Sequence, residues 1–253
     1  MHVFKLVFLC FVLISSANAV AEKPPTIRLA LYHSPPYYFT EPPAAPSGLA
    51  VDILRPVLEQ LGFELQIVVC PFPRCLKMLE RGEVDLMPGL LRNQEREQFV
   101  HFITPPMMNF HSSFAFYARA DNPAQLTNEK QLQGKTIAVM RDAVYYPQFE
   151  QIPRLTKTSV LSEAKALEMV QQKRVDYTIM IEGTAAGAFA TAGIKPSELI
   201  RQPFSVTSHI EGYLGFSKLS PNLQYVPQLE QAMATQQKLG LYQRLWHRYG
   251  IAQ

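Results

Sequence analysis

Arginine, histidine, cysteine and carboxylate side chains carry whatever chemistry this 253-residue sequence offers. Cys70 and Cys75 frame the segment CPFPRC. That spacing fits a disulfide across a short turn in an oxidising compartment, or a thiolate pair for a metal. No histidine lies near the pair at zinc spacing, so no metal is expected. A loop this short would remove little unfolded-state entropy, and a disulfide here would serve to fix the turn. His33, His101, His111, His209 and His247 show no paired ligand spacing. His33 falls at a strand end, where an imidazole could act as acid or base; an ordinary loop or core histidine fits the same pattern. There is no Gly-x-Ser-x-Gly elbow, no His-Glu-x-x-His pair and no phosphate-binding loop. Arg96 stands between Glu95 and Glu97. Its planar guanidinium could offer two parallel donors to one ligand carboxylate, or pair with either neighbour at the surface.

The elements that must position these residues follow from apolar periodicity. Thr26 is followed by a strand over 27–31, and a Pro- and Tyr-rich loop runs from Ser34 to Gly48. Leu49, Ile53, Leu54, Val57, Leu58 and Leu61 share one helical face, closed by Gly62 as C-cap. Pro56 should kink this helix or delay its start. Phe63 to Val69 reads as a strand, Arg74 to Arg81 as a helix and Val84 to Met87 as a strand. The second half repeats this grammar: a strand over Thr136 to Met140, a helix capped by Ser162 and running to about Lys173, and a strand over Val175 to Ile181. The segments LKMLERGEVDLM (76–87) and LEMVQQKRVDYT (167–178) share helix, polar turn, Val-Asp and strand. Two helical patterns, about Asn222 to Lys238 and Leu239 to Tyr249, end the chain. This alternation predicts two α/β lobes with mainly parallel sheets, and a ligand at the carboxyl ends of the strands.

Composition limits the function. Charged residues make up 18% and apolar residues 47%, against about 25% charged in a typical soluble domain. The formal net charge is +3, and no Lys/Arg cluster suited to phosphates is present, which argues against nucleic acid. The only long apolar run is N-terminal. Lys5, the stretch VFLCFVLI (7–14) and Ala17-Asn18-Ala19 fit a secretory signal over residues 1–19, and the run is shorter than a membrane span.

Several further segments, in their order, resemble the family 3 extracellular solute-binding proteins, which serve polar amino acid uptake by ATP-binding cassette transporters. They are SPPYYF (34–39), GLAVDILRPVLEQLGFELQ (48–66), LERGEVDLMPGLLRNQERE (79–97), HFITPP (101–106), LQGKTIAV (132–139), GFSK (215–218) and LGLYQRLWHRYG (239–250). The resemblance covers about Thr26 to Gly250. It implies an α/β, two-lobe periplasmic-binding-protein fold of type II, a Venus-flytrap with a hinge and an interlobe cleft. Lobe 1 would be residues 24–112 plus 210–253, and lobe 2 residues 113–209. The hinge would lie near His111 to Tyr117 and Ser208 to Phe216.

The resemblance also implies site residues. Arg96 matches the arginine that binds the ligand carboxylate, Tyr37 and Phe72 match aromatic pocket walls, and Gly89 matches a close backbone approach to the ligand. The family's assisting hydroxyl falls on Leu91, beside Arg92. Its acidic residue for the ligand amino group falls on Ile181, with Glu182 one residue later and therefore on the other face of the strand. Asp142 follows the first strand of the second lobe, where the family has a small turn. The expected function is capture of a small polar, amino-acid-like or anionic ligand in the periplasm by a monomer, without a cofactor, for a membrane permease complex. The alternatives are a dehydratase-like enzyme using Glu182 or Asp142 opposite Arg96, or a sensing module docking to a separate receptor.

Overall fold

The structure is a computed structural model that describes residues 24–122 and 125–251. Residues 1–19, read above as a secretory signal, lie outside the described residues. The first lobe opens with β1 (Thr26–Leu31), β2 (Tyr38–Phe39), β3 (Ser47–Gly48) and α1 (Leu49–Gln60), then β4 (Glu64–Val69), α2 (Phe72–Glu80) and β5 (Leu86–Leu90). The long strand β6 (Val100–Arg119) leads to β7 (Thr136–Met140), β8 (Thr156–Val160), α3 (Glu163–Gln171), β9 (Tyr177–Ile181) and α4 (Glu182–Ala192). A second long strand, β10 (Leu199–Ser217), returns to α5 (Val226–Lys238) and α6 (Leu241–Arg248). No helix among the described residues is long and apolar enough to cross a membrane.

One eight-stranded sheet runs in the order β4-β1-β5-β10-β6-β9-β7-β8. It is mixed, where the alternation of elements predicted mainly parallel pairing. β1 pairs in parallel with β4 and β5, and β7 with β8 and β9, while β10 runs antiparallel to β5 and β6, and β6 antiparallel to β9. The physical reason is the double crossing. The chain leaves the first lobe along β6 and must come back along β10, so the two strands oppose each other. They pair from Leu199↔Arg119 to Ser217↔Val100, with irregularities between Arg201 and Ser205 and between Gly212 and Leu214.

The cores divide along the same line. One apolar cluster joins Leu29, Leu31, Leu54, Leu58 and Leu86 to Met233, Tyr242 and Trp246, so the first lobe draws on both ends of the chain. In the second lobe, side chains alternate across the sheet. Ala138, Met180 and Ala115 pack with Leu167, Val170 and Phe189 on one face. Ile137, Ile179, Phe114 and Phe116 pack with Phe149 on the other. Each large side chain so buried contributes about 1.5–3 kcal/mol. The start of α1 is not delayed by Pro56, which lies inside the helix on its exposed face, where water can take the carbonyl that proline leaves unpaired.

The Val-Asp repeat has a structural cause. Asp85 accepts from the Arg28 backbone N–H at 2.7 Å and donates its own N–H to the Arg28 carbonyl at 2.9 Å. Asp176 does the same with Thr136, at 2.8 and 3.0 Å. Each aspartate thus pins the turn before one strand to the start of the first strand of its lobe. Burial alone would raise the Asp85 carboxyl, but hydrogen bonds from Arg28 and Ser220 outweigh it and hold the group below the usual carboxylate range. Its stabilising contribution is therefore present at neutral pH and is lost only as pH falls through that depressed value.

The turns differ at one equivalent position. Gly82 takes φ 71°, and its counterpart in the second lobe is Lys173 at φ 59°. A left-handed conformation costs a side-chain-bearing residue about 1 kcal/mol. The Lys173–Asp121 pair, at 3.8 Å and exposed on both sides, offsets little of that. Lys173→Gly should therefore stabilise the protein by about 0.5–1 kcal/mol, a rise of roughly 1–4 °C in the unfolding midpoint. Thermal unfolding monitored by circular dichroism checks this.

Candidate functional site

The carboxyl ends of strands from both lobes converge on one cavity of about 620 Å³. Tyr32 follows β1, Cys70 to Phe72 follow β4, and Gly89 to Leu91 end or follow β5 on one side, though Leu90 itself faces the core. Met140 ends β7, Leu161 to Glu163 follow β8, and Ile181 ends β9 on the other. Cys70 and Cys75 are joined by a disulfide, with Cα atoms 5.5 Å apart. This link fixes the turn from β4 into α2 and so places Phe72, the first residue of α2, in the cavity wall.

Arg96 lies at this cavity and is only 3% exposed. Its backbone N–H is held by Asn93 Oδ1 at 2.9 Å. Its guanidinium donates to the Leu91 carbonyl at 2.7 Å and, across the lobes, to the Asp142 carbonyl at 2.6 Å. The Phe72 ring centroid is 5.7 Å from its Cζ. Among the described residues no carboxylate pairs with it; Glu97 is taken by Arg92, which is exposed and also packs on Phe102. Burial lowers the guanidinium pKa to about 10, so it stays charged at neutral pH. Two carbonyls use two of its five N–H donors, and the other three have no hydrogen-bond partner among the described residues.

Gly89 has φ 73°, and a Cβ there would meet the Tyr32 hydroxyl at 2.7 Å and the Tyr38 hydroxyl at 3.0 Å. Only glycine fits this close approach. Tyr32 packs edge-on against both Phe72 and Tyr38. Burial raises its phenol far above the ordinary tyrosine range.

Across the cavity, Ser162 caps α3 by accepting from the Lys165 N–H at 3.3 Å, and Glu163 begins the helix. Glu163 lines the cavity, and burial raises its carboxyl from 4.5 to about 7, with the Thr184 hydroxyl pulling the other way. The consequence for stability has a definite sign. Between pH 4.5 and 7 the folded chain holds a proton that the unfolded chain has lost, so stability falls as pH rises and the loss is complete above 7. The expected loss is on the order of 3 kcal/mol. Glu163→Gln should remove it, and unfolding midpoints of the two proteins from pH 5 to 8 should diverge accordingly.

The lobes meet along α4. Gly183, Gly187 and Thr191 recur every four residues and share one helical face. A Cβ on Gly183 would lie 2.7 Å from the Tyr37 hydroxyl, and one on Gly187 would lie 2.3 Å from the Pro35 carbonyl oxygen. His33 completes the seam. Its Nδ1 accepts from the Thr40 N–H at 3.2 Å, so its Nε2 carries the hydrogen and donates to Thr191 Oγ1 at 3.1 Å.

Of the residues singled out from sequence, the structure brings Arg96, Phe72 and Gly89 to this cavity. Asp142 reaches it only through its backbone carbonyl; its side chain is exposed and its φ is 61°. Tyr37 and Glu182 line a separate cavity of about 390 Å³ beside Phe110 and His111. Glu182 is held there by Arg201 at 2.7 Å. The reason is the strand alternation noted above: Ile181 faces the main cavity, and the next residue turns away. Glu163 and Tyr32 escaped the sequence reading. The available signal was position, since each follows the carboxyl end of a strand.

Three similarities to known proteins frame this geometry. The chain is 25% identical over 191 residues to the membrane-bound lytic murein transglycosylase F of Actinobacillus succinogenes, an alignment covering 72% of this chain. The match spans 38% of that relative's length. A histidine kinase sensor domain with similarity to periplasmic binding proteins superposes with a TM-score of 0.75 at 18% identity, over 90% of this chain and 96% of that one. A mutant of ArgBP from T. maritima superposes with a TM-score of 0.74 at 20% identity, again over 90% and 96%. The family described as bacterial extracellular solute-binding proteins, family 3, matches residues 27–251. This two-lobe α/β chain belongs to that family.

Proposed function

We propose that the protein is a periplasmic solute-binding protein that closes around a small carboxylate-bearing ligand, amino-acid-like or otherwise anionic, and presents it to the membrane permease of an ABC-type uptake system. The observation that carries this reading is Arg96, a buried cation with no carboxylate partner among the described residues, set in the wall of the cavity between the lobes. A buried charge without an opposite charge is costly, and a ligand carboxylate removes that cost. Lobe 1, residues 24–112 and 210–253, and lobe 2, residues 113–209, move as units about the paired middles of β6 and β10. The Cys70–Cys75 disulfide suits an exported protein. The protein acts as a monomer and needs no cofactor.

The test is small-angle scattering and thermal unfolding of the mature chain with carboxylates, amines and neutral analogues. Carboxylates should compact the protein and raise its midpoint; saturation at about a hundred times Kd adds roughly 2.7 kcal/mol. Compaction by amines alone, or by nothing, would overturn the reading. A second reading is an enzyme of the same fold. Glu163, titrating near neutrality in the same cavity as Arg96, has the properties of a general acid or base. Conversion of a bound carboxylate by the wild type and not by Glu163→Gln would establish it.

A further inference from the structure

The cavity has one buried charged side chain, Arg96, and much of its body is apolar, while Lys165 and Glu168 in its lining pair with each other. Apart from Arg96, its wall includes Leu91, Phe114, Met140, Val144 and Ile181. Apolar side chains also stand among its exposed lining, beside Glu41 and Lys165. Val69 from the first lobe and Leu161 from the second are 50% and 49% exposed, and both line the opening. A ligand with an ammonium beside its carboxylate would need an anion inside. Three carboxyl groups line the cavity. Glu41 is 59% exposed with His33 3.7 Å away, and Glu168 is bound by Lys165 at 2.8 Å. Glu163 is the third, and burial favours its neutral form. Glu182 is turned to Arg201 in the other cavity. Desolvating an ammonium in such a wall is unfavourable, whereas an alkyl or aryl body gains from it.

Resting on the solute-binding reading, we infer that the ligand is a monocarboxylate with an apolar body and no α-ammonium group, its carboxylate on Arg96 and its aliphatic or aromatic part directed towards Val69 and Leu161. Matched pairs test this by calorimetry on the wild-type mature chain: 3-phenylpropionate against L-phenylalanine, 4-methylpentanoate against L-leucine, with L-glutamine as the polar comparison. Each ammonium-free acid should bind at least tenfold more tightly than its amino acid, and L-glutamine should bind most weakly. Along a series of straight-chain acids the affinity should rise roughly threefold per added methylene. Tighter binding of the amino acids would overturn this inference and leave the solute-binding reading intact. Binding of none of these carboxylates would overturn both. Ile181→Asp puts an anion into the same wall and should reverse the preference within each pair; an unchanged preference would count against the placement of the ligand.

Discussion

Arg96→Ala is expected to lower the affinity for the protein's carboxylate ligand by at least about thirtyfold. Truncating one partner of a buried, hydrogen-bonded charge pair typically costs 2–5 kcal/mol, and each 1.4 kcal/mol is a factor of ten. The fold should survive. The substitution strips donors from the Leu91 and Asp142 carbonyls, which costs about 1–3 kcal/mol if they stay dry. It also removes an uncompensated buried cation, and the cavity lets water reach the freed carbonyls. The unfolding midpoint should therefore drop by only a few degrees while binding is lost. Arg96→Lys keeps the charge without the planar fork and should fall between the two. Titration calorimetry with a binding carboxylate, beside thermal unfolding of the free proteins, separates the effects. Unchanged affinity in Arg96→Ala would sink the carboxylate assignment.

The second large effect lies far from any charge. Gly187→Val places a side chain where even a Cβ would come within 2.3 Å of the Pro35 carbonyl oxygen. No backbone can absorb that contact in place, and the two segments belong to different lobes. The relief is for the lobes to part. The variant should therefore bind at least tenfold more weakly and stay extended in scattering at ligand concentrations that compact the wild type. Gly187→Ala is the companion variant. Alanine favours the helix by about 1 kcal/mol over glycine, so α4 itself should not weaken while closure still suffers. A variant that compacts on ligand as readily as wild type would show that the α4 seam is not part of closure.

Elements whose cause is local follow from neighbouring residues. The apolar face of α1, the Ser162 cap on α3 and the span Thr136–Met140 of β7 are set by neighbours within a few residues. The Val-Asp repeat was legible for the same reason, because Asp85 and Asp176 each finish an equivalent turn before a strand. The ordered motifs carried the two-lobe fold. What faces the cleft depends on how distant elements come together. Which of Ile181 and Glu182 points inward is a matter of strand register, and a one-residue change reverses the face. The lengths of β6 and β10 depend on each other, since each is the other's partner across the sheet. Glu163 reads locally as an acidic first-turn residue that suits the helix dipole. Only the opposing lobe makes it a half-buried carboxyl in the cavity that holds Arg96, and burial of that kind is a property of two surfaces meeting, which no stretch of one strand or helix contains.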